Sequence, residues 1–67
     1  MNVPGYTTQS LLMMHGAIAN ALAVDDNTPA GQDKPFMVRT FPDWKLQADE
    51  IEAELTKRGV SYTKIGL

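Results

Sequence analysis

The sequence predicts a mainly α fold, in which two helices form a hairpin with a long loop between them and an extended C-terminal tail. Two segments, residues 8–24 and residues 42–58, carry apolar side chains at the spacing of an α-helix. The segments outside them contain prolines, glycines and β-prone residues instead. The alternative is an α+β fold, with short strands at 36–40 and 60–65 flanking the second helix.

The second helix, predicted over residues 42–58, has clear signals for its start, its buried side and its end. Pro42 suits the first position of a helix, and Gly59 suits the left-handed position that follows one. The apolar residues recur at spacings of four, three and four, and they are Trp44, Ala48, Ile51 and Leu55. Glu54 and Arg58 are spaced for an ion pair. The opposite face is predicted to be solvated, and it carries Asp49, Glu50, Glu52, Ala53 and Lys57.

The first helix, predicted over residues 8–24, is apolar on more than one side. Its principal stripe consists of Leu11, Met14, Ile18 and Leu22, and a second ridge consists of Met13, Ala17 and Val24. A third side, the small-residue ridge, consists of Gly16, Ala19 and Ala23. One neighbouring helix covers only one stripe, so two interpretations are open. Either the helix is central in an oligomer, typically a dimer packed across the small-residue ridge, or the loop and the tail wrap it; we favour the first.

The predicted core combines both stripes with the β-prone segments. It consists of Leu11, Met14, Ile18, Leu22, Phe36, Val38, Phe41, Trp44, Ala48, Ile51, Leu55, Val60 and Tyr62. Trp44 is assigned to this core because it heads the stripe of the second helix, although Trp is also a frequent anchor of binding surfaces. A possible interface to a partner consists of Met13, Gly16, Ala17, Ala19, Ala23 and Trp44.

Length and composition fit one small domain, residues 1–67, with a net charge of −2. Such a domain buries only about 60% of its unfolded surface. Because the chain has no cysteine, it has no disulfide to compensate, which favours self-association or binding to another protein. The basic residues are scattered, so no nucleic-acid interface is predicted. With a single histidine and no cysteine, we expect no metal site and no cofactor.

The apolar segment 11–24 is the one place where a membrane segment has to be considered. It is too short to span a bilayer, and it includes His15 and Asn20. No basic residue precedes it, so it does not have the pattern of a signal peptide. We therefore expect a cytoplasmic protein with no membrane partner.

His15 is the side chain that most invites a chemical role, as a general base, a pH switch or a contributed metal ligand. No nearby residue completes a triad or a set of ligands. We therefore interpret His15 as a partly buried histidine with a local hydrogen bond, and we predict no catalytic residue and no enzyme activity. The acidic segment after the first helix does not match a calcium loop, because its alternation of acids fails at Pro29.

Three segments, KPFMVRTFPDW, ADEIEAEL and RGVSYTKI, together resemble a pattern found in short uncharacterised bacterial proteins, a domain of unknown function. The resemblance has the form KPxxVRxFPDW…ExELxxRGVxYTxI and covers residues 27–65. It implies a bacterial cytoplasmic protein, and it transfers no catalytic or binding residue.

These observations favour a small cytoplasmic protein–protein interaction or oligomerisation module, whose partner is a second copy of the chain in a homodimer or an unidentified protein. The alternative is a small acidic inhibitor that mimics nucleic acid. It is based on the carboxylates of the second helix, which are Asp43, Asp49, Glu50, Glu52 and Glu54. Such an inhibitor would bind a basic partner with a strong dependence on salt.

Overall fold

The computed structural model describes residues 2–67 and contains two α-helices. A 3₁₀ turn at Val3–Gly5 precedes helix α1 at Thr8–Asp26, and helix α2 follows at Pro42–Lys57. No β-strand is present within the described residues. The two-helix hairpin with its long loop and extended tail is therefore confirmed, whereas the alternative with strands at 36–40 and 60–65 is wrong.

The two β-prone segments pack on the helices instead of on each other. Residues 38–40 form a turn, in which the Thr40 N–H donates to the Met37 carbonyl at 3.0 Å. The C-terminal tail, residues 60–67, has no regular structure. Each segment contributes a buried side chain to the helical core, Val38 from the loop and Ile65 from the tail. Two isolated strands would gain little from pairing, so packing on the helices prevails.

Helix α1 begins where the sequence predicts and ends two residues later. The Thr7 hydroxyl oxygen accepts the Ser10 N–H at 3.1 Å and caps the first turn. The acidic pair Asp25 and Asp26, which was expected to end the helix, stays inside it. Both carboxylates bind groups of the following loop, so the acids lengthen the helix by one half turn instead of breaking it.

Helix α2 follows the start and stop signals of its sequence, and it ends at Lys57, one residue before the predicted end. Pro42 occupies the first turn. Gly59 has a φ of +72°, the left-handed conformation expected after a helix. The Gly59 N–H donates to the Thr56 carbonyl at 3.0 Å and the Val60 N–H to the Leu55 carbonyl at 2.9 Å. These two bonds form a Schellman motif and turn the chain into the tail.

The core lies between the two helices and includes one side chain each from the loop and the tail. Within residues 2–67 the buried apolar residues are Leu11, Ile18, Ala21, Leu22, Val38, Ala48, Ile51, Leu55 and Ile65. The predicted core residues Met14, Trp44, Val60 and Tyr62 lie at its edge, partly buried.

Two residues of the predicted core are exposed: Phe36 by 42% and Phe41 by 52%. They belong to one of the two β-prone segments that the sequence assigns to the core. Because that segment forms a turn, it directs only Val38 inward. Ala21 and Ile65 take part in the core although the sequence did not predict them.

The molecule is long and thin, with principal extents of 41 × 19 × 16 Å. A helix with its side chains is about 10–12 Å across, so the cross-section holds two helices and little more. Helix α1 therefore has neighbours on only part of its circumference, and the rest of it faces solvent.

Candidate functional site

The exposed face of α1 is the candidate functional surface, because it carries no charge. From Thr8 to Val24 the helix contains no Asp, Glu, Lys or Arg. Met13 is 69% exposed, and Leu12 is 40% exposed. The other exposed residues of this stretch are Gln9, Gly16, Ala17, Ala19, Asn20, Ala23 and Val24. A surface helix ordinarily presents charged side chains to solvent, so this face differs from that of a simple solvated helix.

The structure places most of the predicted interface residues on this face. Met13, Gly16, Ala17, Ala19 and Ala23 are all exposed on α1. Trp44 differs from them, because it lies on α2 and is partly buried against the core. Its ring meets the Phe36 ring edge to face, with the ring centroids 6.2 Å apart. Trp44 therefore borders the face of α1 and does not belong to it.

A groove of about 530 Å³ separates α1 from the C-terminal tail. One wall consists of Leu12 and the small-residue ridge, and the other consists of residues 62–66 of the tail. A Cβ added to Gly16 would meet no neighbouring atom within 4 Å, so there is open space above the ridge. The tail thus flanks α1 without filling the space beside the ridge. We call this space the tail-side groove.

A second groove, of about 450 Å³, lies on the other flank of α1. Its α1 wall includes Met14 and Ala17, and Phe36 and Trp44 close it from the loop and from α2. The loop and the tail thus flank α1 on opposite sides, as the second interpretation of the sequence expected. They leave the strip between the grooves open, since Met13 and Val24, which line neither groove, remain exposed.

A buried pair of polar side chains connects α1, α2 and the tail. His15 and Glu52 are only 7% and 6% exposed, and His15 Nε2 lies 2.8 Å from Glu52 Oε2. The same oxygen accepts the Ile65 N–H at 2.8 Å. Because a carboxylate only accepts hydrogen bonds, the imidazole donates from Nε2. The His15 ring also meets the Tyr62 ring edge to face, with centroids 5.5 Å apart.

This pair corrects two predictions. Glu52 was assigned to the solvated face of the second helix, and it is buried. The hydrogen bond of His15 was expected to be local, and it reaches a residue of the other helix. A signal for Glu52 was present: it follows Ala48 by four residues and precedes Leu55 by three, so it lies at the edge of the buried stripe.

Asp25 is a second buried carboxylate, 1% exposed, at the end of α1. Its Oδ1 accepts the Phe36 N–H at 3.0 Å, and its Oδ2 accepts the Val38 N–H at 2.7 Å. Met37, between these two residues, has a φ of +54°. Asp25 therefore anchors the loop to α1, and both of its oxygens are occupied by the loop backbone. The sequence placed Asp25 just after the first helix and predicted no contact for it.

An exposed ion pair lies at the end of the tail-side groove. Arg39 Nη2 donates to Asp26 Oδ2 at 2.9 Å, and Arg39 Nε donates to Asp26 Oδ1 at 3.1 Å. The hydrogen bond from Arg39, together with the charges of Arg39 and Lys34, lowers the pKa of Asp26 below its ordinary value. Asp26 raises the pKa of Arg39 in turn. The carboxylate at this end of the groove is therefore neutralised by its partner.

Among residues 2–67, no group of three or more acidic or histidine side chains is placed to hold a metal ion. In the same part of the chain, no helix is long and apolar enough to cross a membrane. No protein-family model, curated protein or solved structure matches the chain. The resemblance to short uncharacterised bacterial proteins therefore stays a prediction, and the function has to be argued from the exposed face of α1 and its surroundings.

Proposed function

We propose that this protein is a small interaction module that self-associates, and that a second copy of the chain packs on the exposed face of α1. The observation that carries the proposal is the absence of charge from Thr8 to Val24 on a helix whose Met13 is 69% exposed. Removing exposed apolar surface from water stabilises an assembly by about 25 cal/mol for each Å².

The area that a specific interface needs indicates how much of α1 would be buried in a dimer. A specific interface buries about 800 Å² of each partner, which is between a sixth and a fifth of the 4553 Å² surface of this chain. Helix α1 is about 28 Å long at 1.5 Å per residue. An interface of ordinary size on so thin a molecule therefore uses the whole length of α1.

The spacing of the small residues favours a second copy over an unrelated partner. Leu12, Gly16, Ala19 and Ala23 follow one another at spacings of four, three and four, which read the same in both directions. Around a two-fold axis, an antiparallel pair of such helices places Leu12 opposite Ala23 and Gly16 opposite Ala19. Small residues also allow helix axes to approach to about 8 Å.

The distribution of charge is compatible with self-association. Each copy has a net charge of −2, and the carboxylates of α2 lie on a different element from the proposed interface. The proposal assigns no catalytic activity to the chain. It keeps the cytoplasm as the compartment, because a chain without cysteine is suited to a reducing environment.

The alternative, an acidic inhibitor that mimics nucleic acid, is less well supported, because it needs carboxylates that are free to bind a basic partner. At least three of the five carboxylates on which it depends are paired with a cation or buried. Asp49 accepts from Lys45 at 2.7 Å and Glu54 accepts from Arg58 at 2.8 Å. Glu52 is buried with His15. These contacts reduce the negative charge that the second helix presents to a basic partner.

The experiment that tests the proposal is the solution mass, measured by light scattering after size exclusion across a dilution series. We expect a dimer at high concentration, and we expect Ala19→Arg to shift the chain to a monomer because it places a charge on the small-residue ridge. The control is Ala53→Arg, which makes the same change at an exposed position of α2. A monomer at every concentration, or equal effects of the two substitutions, would contradict the proposal.

Gly16→Ala is a second test, because we expect it to stabilise the monomer and to weaken the association of two copies. The added methyl group has space in the single chain, and replacing a mid-helix glycine by alanine stabilises a helix by up to about 1 kcal/mol. In a close contact between two α1 helices, the same methyl group separates the backbones. We therefore expect a higher thermal midpoint of the monomer together with weaker association. Stronger association would show that the ridge is not the contact.

A further inference from the structure

His15 has one ring nitrogen that no other group of residues 2–67 binds. Its Nε2 donates to Glu52, whereas its Nδ1 has no hydrogen-bond partner within this part of the chain. Among the same residues, every side-chain nitrogen or oxygen that is completely buried has a partner. Nδ1 is therefore not completely buried, although His15 as a whole is only 7% exposed.

This nitrogen opens into the tail-side groove. His15 lines that groove, together with Gly16 from α1 and Tyr62 from the tail. The Nε2 side of the ring is occupied by Glu52 from α2. In the neutral imidazole with its proton on Nε2, Nδ1 carries a lone pair that accepts a hydrogen bond. The groove thus contains one acceptor on a buried side chain, and Glu52 holds that side chain from behind.

The other walls of the groove are apolar, already paired or at its exposed edge. The small-residue ridge forms the α1 wall. The Tyr62 hydroxyl lies 2.8 Å from Thr56 Oγ1, and the Asp26 carboxylate is neutralised by its ion pair. Thr63 and Lys64 are exposed residues of the tail wall. A molecule that lies in the groove therefore contacts mainly apolar surface and one free acceptor.

The groove has room for a molecule with a single ring. Its volume of about 530 Å³ lies within the range of small-molecule sites, which is about 300–1,000 Å³. An apolar cavity of about 150 Å³ is enough for benzene. Gly16 adds to this room, because no atom lies within 4 Å of the position that a Cβ would take there.

We propose that the tail-side groove binds a small neutral molecule with an apolar body and one hydroxyl or N–H donor, and that this donor binds His15 Nδ1. The apolar body lies against the small-residue ridge. The ligand is neutral because Glu52 places a negative charge directly behind the imidazole, which disfavours an anion in front of it. One chain supplies all the walls, so this inference goes beyond self-association and does not depend on it.

The test compares phenol with fluorobenzene, which has nearly the same shape and no donor. Both are titrated into ¹⁵N-labelled protein and followed by NMR, at a dilution where light scattering gives the mass of the monomer. We expect phenol to shift the resonances of His15 Nδ1 and the Gly16 amide, with a dissociation constant on the order of 1 mM for so small a ligand. Fluorobenzene should bind about fivefold more weakly, because it lacks the hydrogen bond.

A matched pair of substitutions locates the site without touching the buried pair of His15 and Glu52. Ala19→Leu places a larger side chain in the groove, and it should weaken the binding of phenol at least about tenfold by occupying the space of the ring. Ala17→Leu is the control. It makes the same change at an exposed position on the other flank of α1, and it should leave the binding of phenol unchanged.

Three outcomes would overturn the proposal. No binding of phenol would mean that the groove is not a site for this class of molecule. Equal binding of phenol and fluorobenzene, or an unchanged Nδ1 resonance, would show that His15 does not recognise the donor. Tighter binding of benzoate than of phenol would assign recognition to Lys64 instead. None of these results bears on self-association, which the solution mass decides separately.

Discussion

At the scale of single residues, two buried carboxylates replace the backbone pairing that strands would supply. Buried N–H groups need hydrogen-bond partners, and the loop and the tail have no strand to pair with. Asp25 accepts the N–H groups of Phe36 and Val38, and Glu52 accepts that of Ile65. Each carboxylate thereby fixes a segment of irregular structure against a helix.

We predict that Asp25→Asn lowers the free energy of unfolding by about 2–3 kcal/mol. The amide has one oxygen where the carboxylate has two, so one loop N–H would face a donor; bonds to charged groups contribute about 1.5–3 kcal/mol each. A domain of this length has a total stability of about 3–10 kcal/mol, so the loss is readily measured by urea denaturation. Asp33→Asn, the same change at an exposed position of the same loop, should have little effect. Equal effects of the two substitutions would show that the Asp25 contacts contribute nothing.

At the scale of elements, the helices were predictable and the connections were not. Periodicity and terminal signals are local properties of the chain. From Pro42 and Gly59, the start of α2 was predicted correctly and its end was predicted to within one residue. The loop depends instead on Asp25, which lies more than ten residues away from Val38. No local pattern in the loop reveals which of its apolar residues turns inward, so Phe36 and Phe41 were wrongly assigned to the core.

The end of α2 can be tested by a matched pair of glycine substitutions. Gly59 has a φ of +72°, and a residue with a Cβ is strained in this conformation. We expect Gly59→Ala to lower the free energy of unfolding by about 1 kcal/mol. Gly66→Ala is the control, because a Cβ at Gly66 meets no neighbouring atom within 4 Å, and it should be close to neutral. Urea denaturation measures both, and a neutral Gly59→Ala would mean that the Schellman turn does not limit stability.

At the scale of the whole molecule, a pair of helices is completed by three irregular segments, each tied down by a charged side chain. Asp25 holds the loop, Glu52 holds the tail, and Arg58 holds the N-terminal turn. This arrangement covers two flanks of α1 and leaves the strip between them open. The sequence predicted the apolar character of α1 from residue types alone. It did not predict where the grooves lie, because they are formed by segments whose placement depends on long-range polar contacts.

Of these three charged side chains, Arg58 forms hydrogen bonds to the largest number of residues. Its Nε donates to Glu54 at 2.8 Å, its Nη1 to the Thr8 hydroxyl at 3.0 Å, and its Nη2 to the Tyr6 carbonyl at 2.8 Å. Longer contacts of 3.4 Å reach the carbonyls of Val3 and Pro4. The planar guanidinium carries five N–H donors in a fixed arrangement. One side chain therefore joins the end of α2 to the start of α1 and to the turn before it.

We predict that Arg58→Lys lowers the free energy of unfolding by about 2 kcal/mol, although it keeps the charge. A single ammonium group cannot reach Glu54 and the N-terminal carbonyls at the same time. Hydrogen exchange should also accelerate at the amides of Gly5 and Tyr6, which close the 3₁₀ turn. Arg39→Lys is the matched control, because Arg39 is half exposed and exposed ion pairs contribute little. If exchange at Gly5 and Tyr6 is unchanged while unfolding is easier, Arg58 stabilises α2 through Glu54 alone and the N-terminal turn is held by its own packing.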